Sequence, residues 1–133
     1  MELVEHYRDL EVYKFSRQLS KEIFELSKKF PKEEMYSLTD QIRRSSRSVG
    51  AQIAEAWAKR RYEKHFISKL TDSGGEQLET QHWIETVYDC SYISKDTMID
   101  LIEKYTSVGK MLNSMIGKSH LFCFRTNEKT NSN

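Results

Sequence analysis

Apolar residues recur at spacings of three and four through four successive stretches of this chain, the interval that keeps one side of a helix turned toward a core. The first stretch, about residues 9–30, sets Val12, Phe15, Leu19, Ile23, Leu26 and Phe30 on such a stripe. Pro31 ends it, because the ring cannot continue the hydrogen-bond ladder and holds the preceding residue extended. The second, about 37–61, carries Leu38, Ile42, Val49, Ile53, Ala56 and Trp57 on one flank; Ser37 or Thr39 is placed to cap it, with Asp40 in the first turn. The third, about 62–92, reads Phe66, Leu70, Gly74, Gln77, Leu78, Gln81, Ile84, Tyr88 and Tyr92. Glycine in a helix interior costs about 1 kcal/mol against alanine. The stripe nevertheless keeps phase across Gly74-Gly75, so the helix is read as continuous, with the glycines admitting a neighbouring helix at close range. The fourth, about 95–117 behind a Ser94 cap, repeats Met98, Leu101, Tyr105, Val108, Leu112 and Met115 in the alternating spacing of a bundle seam.

Four amphipathic helices with short connections fold most simply as an all-α, antiparallel up-down-up-down four-helix bundle. The bundle is expected over residues 1–117 as one domain, with 118–133 a polar, frayed C-terminal tail. Within that tail Leu121, Phe122 and Phe124 are apolar enough to dock, a neighbouring chain being one place for them. One proline and five glycines in 133 residues suit helices and not a turn-rich β protein. No run approaches the ~18 apolar residues of a membrane span, and the charged start MELVEHYRDLE is not a signal peptide, so a cytoplasmic, membrane-free protein is expected. Cys90 and Cys123 have neither metal nor redox spacing and read as reduced thiols.

The charge changes the picture. The net is only +1, but residues 37–65 hold seven basic and three acidic groups, while 66–105 hold three and eight. The first 36 residues are nearly balanced, with seven basic and eight acidic groups. A cationic block beside an anionic one has two readings: complementarity within or between subunits, or a patch meant for an anion. The cluster is Arg43, Arg44, Arg47, Lys59, Arg60, Arg61 and Lys64. At 100° per residue Arg43, Arg47 and Arg61 line up roughly opposite the core stripe, and Ala51, Ala54 and Ala58 continue their line. Arginine forks suit phosphate, and such binding is mainly electrostatic and salt-dependent. The plainer reading is a solvated face with ion pairs to Asp72, Glu76 and Glu79, which share one line on the third helix. Glu76, Glu79, Trp83 and the alanine line are the candidate oligomer interface.

Other chemistry is thin. Trp57 reads as packing, and Tyr62 beside Arg61 is the aromatic suited to stacking on a base. Glu79-Thr80-Gln81-His82 is one Glu-x-x-His element, whereas a di-metal bundle needs two of them with further glutamates. Ser45, Ser46 and Ser48 lie near arginines and not near a base. His6, His65, His82 and His120 are scattered, and no glycine-rich phosphate loop occurs. A non-enzyme without cofactor is expected.

Several short elements together carry a family resemblance. Phe30-Pro31, Glu34, Tyr36, Leu38-Thr39, Gln41, Arg43-Arg44-Ser45-Ser46 and Ile53-Ala54-Glu55-Ala56 are followed by Gly75-Glu76-Gln77-Leu78-Glu79-Thr80, Tyr92-Ile93 and Lys110-Met111-Leu112. Over about residues 9–117 the chain resembles the four-helix-bundle family of 23S rRNA-intervening-sequence proteins. Gly50 stands where that family usually has proline, and Ala56 where glycine is common. The resemblance implies a ring-like homopentamer, and members encoded within large-subunit rRNA genes. It also implies kinship with the accessory variability determinant of diversity-generating retroelements, a bundle that partners a reverse transcriptase and binds nucleic acid through basic surfaces. The expected function is an oligomeric scaffold or adaptor that binds RNA or DNA, or a ribonucleoprotein, through the basic helix face. The alternative is a protein–protein assembly module in which basic and acidic stripes pair across subunits.

Overall fold

The computed structural model describes residues 4–124. The chain forms α1 (Glu11–Ser27), α2 (Leu38–Ala58), α3 (Glu63–Asp89), α4 (Lys95–Gly117) and a short α5 (Ser119–Phe122), with single 3-10 turns at Tyr7–Asp9 and Lys32–Glu34. Among the described residues there is no strand. Neighbouring helices are antiparallel. Arg43 near the start of α2 meets Ser27 at the end of α1, whereas Gly50 further along α2 abuts Tyr13 and Ser16 near the start of α1. Ser45 faces Thr80 while Glu55 faces Lys69, so α2 and α3 also run in opposite senses. α1 packs on α2 and α4, and α3 packs on the same two, which places α1 and α3 on a diagonal.

The stripes on α1, α2 and α4 are the core: Leu19, Ile23, Ile42, Val49, Ile53, Leu101, Tyr105 and Leu112 are all but inaccessible to solvent. α3 keeps Phe66, Leu70, Gln77 and Ile84 of its expected face buried but not Leu78, which is 61% exposed; Ser73, Thr80 and Val87 complete the buried line. The α2–α3 seam takes small hydroxyl residues whose polar atoms are satisfied across it, Ser73 Oγ donating to the Val49 carbonyl at 2.8 Å and Thr80 Oγ1 lying 2.9 Å from Ser45 Oγ.

The glycines divide in an unexpected way. α3 is continuous through Gly74-Gly75, but a Cβ on either would meet nothing within 4 Å, so they do not admit a neighbouring helix of this chain. That role falls to Gly109 of α4, where a Cβ would come within 2.8 Å of Gln77 Nε2, and to Gly50 of α2, where it would sit 3.1 Å from Ser16 Oγ.

At the helix ends, Ser94 caps α4 by accepting from Thr97 N at 3.1 Å. Ser37 occupies the N-cap position of α2, but its hydroxyl donates to Glu34 Oε1 at 2.8 Å and caps nothing; Thr39 is already inside the helix and buried. The segment expected to fray is folded as far as it is described. Ser119 Oγ donates to Glu63, Phe122 stacks on Phe66 at 5.9 Å between ring centroids, and Phe124 N donates to the Arg60 carbonyl at 3.1 Å. Phe122 therefore docks on its own chain, and the rest of the predicted tail lies outside the described residues. Among the described residues no helix is long and apolar enough to cross a membrane.

Candidate functional site

The seven cations of the basic cluster do not form one patch. Arg44 turns toward α3, where its Nη2 donates to Glu79 Oε2 at 2.5 Å and its Nη1 to Glu76 Oε1 at 3.4 Å. Trp83 Nε1 donates to the same Glu79 oxygen at 3.0 Å. The Trp83 and Arg44 bonds together hold the Glu79 carboxyl below its ordinary range, and Glu79 in turn raises Arg44. The residues read as a candidate oligomer interface on α3 (Glu76, Glu79 and Trp83) thus already have partners within the chain.

Arg60 is held at the other end of the helix. Its Nε donates to the Trp57 carbonyl at 2.9 Å, and its guanidinium lies 3.6 Å from the Trp57 ring centroid and 4.8 Å from that of Phe124. Burial in this aromatic sandwich lowers its pKa. Lys59, Arg61 and Lys64 are exposed around the α2–α3 corner and make no ion pair among the described residues.

Arg43 and Arg47 face α1. Arg43 Nε donates to Ser27 Oγ at 2.6 Å, and the two guanidiniums lie 4.8 and 5.3 Å from the Phe24 ring centroid, within cation–π range. Beside them opens a groove of about 670 Å³ between α1 and α2, whose small-residue floor is Gly50, Ala51 and Ala54. The predicted alanine line is therefore the bed of a groove, with Ala58 exposed beyond it. The groove adds two cations from α1, Arg17 and Lys21, with Ser16 and Ser46 among the hydroxyl residues along it. No carboxylate lines it, and none of Arg17, Lys21, Arg43 or Arg47 is ion-paired among the described residues. Arg17 Nη1 donates to Tyr13 Oη at 3.2 Å, which supports the guanidinium and raises its pKa.

Arg17 and Lys21 escape a reading of regional charge because they lie in the balanced N-terminal segment. The signal that could have found them is their four-residue separation on the polar side of the first helix, which puts both on one face. The geometry suits an anion: cations from two helices stand around a small-residue floor with no carboxylate in the groove's lining, although Lys21 also borders a second groove that holds Glu22, Glu25, Asp96 and Asp100. Ser46 Oγ donates to the Arg43 carbonyl at 3.1 Å, and Ser45 Oγ lies 3.5 Å from the Ile42 carbonyl. Glu79 of the Glu-x-x-His element is engaged by Arg44 and Trp83. Among the described residues no group of three His, Cys, Asp or Glu side chains is placed to hold a metal ion.

The family model of the 23S rRNA-intervening sequence protein matches residues 8–114. Among solved structures, the chain is similar to a protein of unknown function from the S23 ribosomal protein family of Bacteroides thetaiotaomicron. The two are 29% identical, with a TM-score of 0.71 over 79% of this chain and 97% of that one. No curated protein matches the chain.

Proposed function

This chain belongs to the 23S rRNA-intervening sequence protein family, and we propose that it is a non-enzymatic, self-associating helical scaffold that binds RNA or DNA along the α1–α2 groove. The observation that carries the reading is the set Arg17, Lys21 and Arg47, three cations lining a groove that no carboxylate lines, with Arg43 beside it on the Phe24 ring. Phosphates are the abundant anions such forks and ammonium groups fit, and interactions of this kind position a backbone without reading sequence. Self-association into a ring, with five copies the number the family resemblance implies, would repeat the groove and add avidity. A protein partner such as a reverse transcriptase would engage other surfaces. The assembly-only alternative, in which the basic and acidic stripes pair between subunits, is weakened at Arg44, whose carboxylates are supplied by its own α3.

The test is a salt titration by fluorescence anisotropy with a labelled RNA stem-loop and a DNA duplex, with the assembly's mass followed by light scattering. Binding should fall steeply with salt. In Arg17→Ala/Arg47→Ala the slope of log K against log salt should become shallower by about 0.7–0.9 for each phosphate no longer neutralised, at unchanged mass. Absence of binding at low salt, or failure of binding only where the assembly dissociates, would reject the groove as a nucleic-acid site and leave assembly as the function.

A further inference from the structure

A pocket of about 600 Å³ opens at the end of the bundle where α2 passes into α3 and α4 into α5. That size is typical of small-molecule sites, which run to about 300–1,000 Å³. Its apolar wall is Val4, Trp57, Met115, Leu121 and Phe122, the last fixed by its stacking on buried Phe66. Val4 and Glu5 on one side, and the lining from Met115 to Phe124 on the other, lie outside residues 8–114 matched by the family model. The pocket is made where these outer segments close over the end of the bundle. Arg60 stands in its wall, its guanidinium against the Trp57 and Phe124 rings and its Nε used by the Trp57 carbonyl. Among the described residues its Nη1 and Nη2 have no hydrogen-bond partner, and neither Arg60 nor Lys118 at the rim has an ion pair. Glu5 is the one carboxylate in the lining, and it pairs with neither. A cation drawn partly out of water is costly unless an opposite charge meets it. Here aromatic rings cover the guanidinium, and no anion of the chain meets its outer edge.

We propose that this pocket binds a small amphipathic anion, one whose carboxylate or phosphate head is held by Arg60 and Lys118 while its apolar body lies on the wall formed by Trp57, Met115, Leu121 and Phe122. The guanidinium fork suits either head, because its two outer N–H groups lie in one plane and can grip two oxygens at once. The ammonium group of Lys118 adds a second, adjustable cation from across the pocket. Both halves of the ligand are required by the same reasoning. A wholly apolar molecule would fill the wall but leave the guanidinium edge unmatched, whereas a bare anion would meet the cations and leave the wall wet. The site shares no lining residue with the α1–α2 groove, and it does not depend on the function proposed for that groove.

The test is calorimetric titration of the full chain with decanoate, decyl phosphate, 1-decanol and inorganic phosphate, the amphiphiles kept below their micelle concentrations. NMR resonances of Trp57 Nε1–H and Arg60 Nε–H report on the site. Decanoate or decyl phosphate should bind and shift both resonances, and the tighter of the two identifies the head group. Trp83 Nε1–H, held by Glu79, should stay in place. Decanol and inorganic phosphate should each bind more weakly by about tenfold or more. Arg60→Gln should weaken binding of the amphiphilic anion by about tenfold. Lys118 and Leu121 are exposed, so Lys118→Gln and Leu121→Gln leave the fold intact by circular dichroism and should each weaken binding several-fold even if Arg60→Gln disturbs the aromatic stack. Arg17→Ala/Arg47→Ala should leave this binding unchanged. No binding of either amphiphilic anion, decanol binding as tightly as decanoate, or indifference to both Lys118→Gln and Leu121→Gln would each overturn the site. Loss of binding in the Arg17→Ala/Arg47→Ala variant would also overturn it, since the anion would then lie in the α1–α2 groove. Failure of RNA and DNA to bind that groove would leave the pocket standing.

Discussion

Thr80 and Ser45 meet across the α2–α3 seam with 2.9 Å between their hydroxyl oxygens, both fully buried. Thr80 Oγ1 is also 2.9 Å from the Glu76 carbonyl, while Ser45 has beyond Thr80 only the Ile42 carbonyl at 3.5 Å. Replacing Thr80 by the isosteric valine keeps the volume and strands the Ser45 hydroxyl away from water. The expected cost is about 1–3 kcal/mol, read as a lower urea midpoint at unchanged m value. Adding Ser45→Ala to Thr80→Val should recover part of it, since the stranded group is then gone.

Glycine replacements should separate by surroundings. Gly75→Ala places its methyl in open space and should stabilise the monomeric fold by about 1 kcal/mol, the difference in helix propensity. Gly50→Ala should gain less than this or lose, because its Cβ would press to 3.1 Å from Ser16 Oγ, itself bonded to the Tyr13 carbonyl at 2.8 Å. Thermal or urea melts of the two variants side by side check the order, and equal gains would contradict the close α1–α2 approach.

Ser91, just past the end of α3, holds φ at 66°, the only non-glycine residue with positive φ among those described. It is the left-handed residue that turns the chain into α4: Ser91 N donates to the Tyr88 carbonyl at 2.8 Å and Tyr92 N to the Val87 carbonyl at 2.9 Å. A side chain costs roughly 1–2 kcal/mol in this region. Part of that returns as unfolded-chain entropy when glycine is introduced. Ser91→Gly should therefore raise stability, by up to about 1 kcal/mol, measured by urea denaturation. A drop in stability would mean that the serine side chain contributes to the turn.

Tyr92 donates to Glu34 Oε2 at 2.8 Å, tying the α3–α4 turn to the loop between α1 and α2. The bond to the carboxylate, with some desolvation, pushes the phenol from 10.0 up to about 12. Glu34 is correspondingly held below its ordinary value by the Ser37 and Tyr92 hydroxyls. A phenol raised in the folded state contributes stability that is whole below pH 10 and is lost as pH rises from there through about 12. For Glu34 the sign reverses: its contribution is present above the unfolded carboxyl's pKa and is lost as pH falls through the lower folded one. Urea melts of wild type and Tyr92→Phe across the alkaline range should show a gap that closes in that window. A gap that persists unchanged above it would argue that the bond is not made in solution.

The periodicity of the sequence by itself determined four helices, their order, and the core faces of α1, α2 and α4. It could do so because burying an apolar stripe outweighs every local choice along a long amphipathic helix. It also marked Arg43 and Arg47 as lying on one line, since the turn of a helix is a local property. Which cations share a site was decided only by tertiary structure. Arg17 and Lys21 join Arg47 because α1 lies antiparallel on α2, while Arg44, next in sequence to Arg43, is carried off by Glu76 and Glu79 of α3. The same holds for α3. Its sequence offers Leu78 to the core, but in the folded chain Leu78 lies exposed on the α4 side, while Ser73 and Thr80 meet α2 with their hydroxyls bonded. Periodicity is a one-dimensional property of a helix. Close packing and charge pairing depend on the distance between helices, and that distance is established only when they meet.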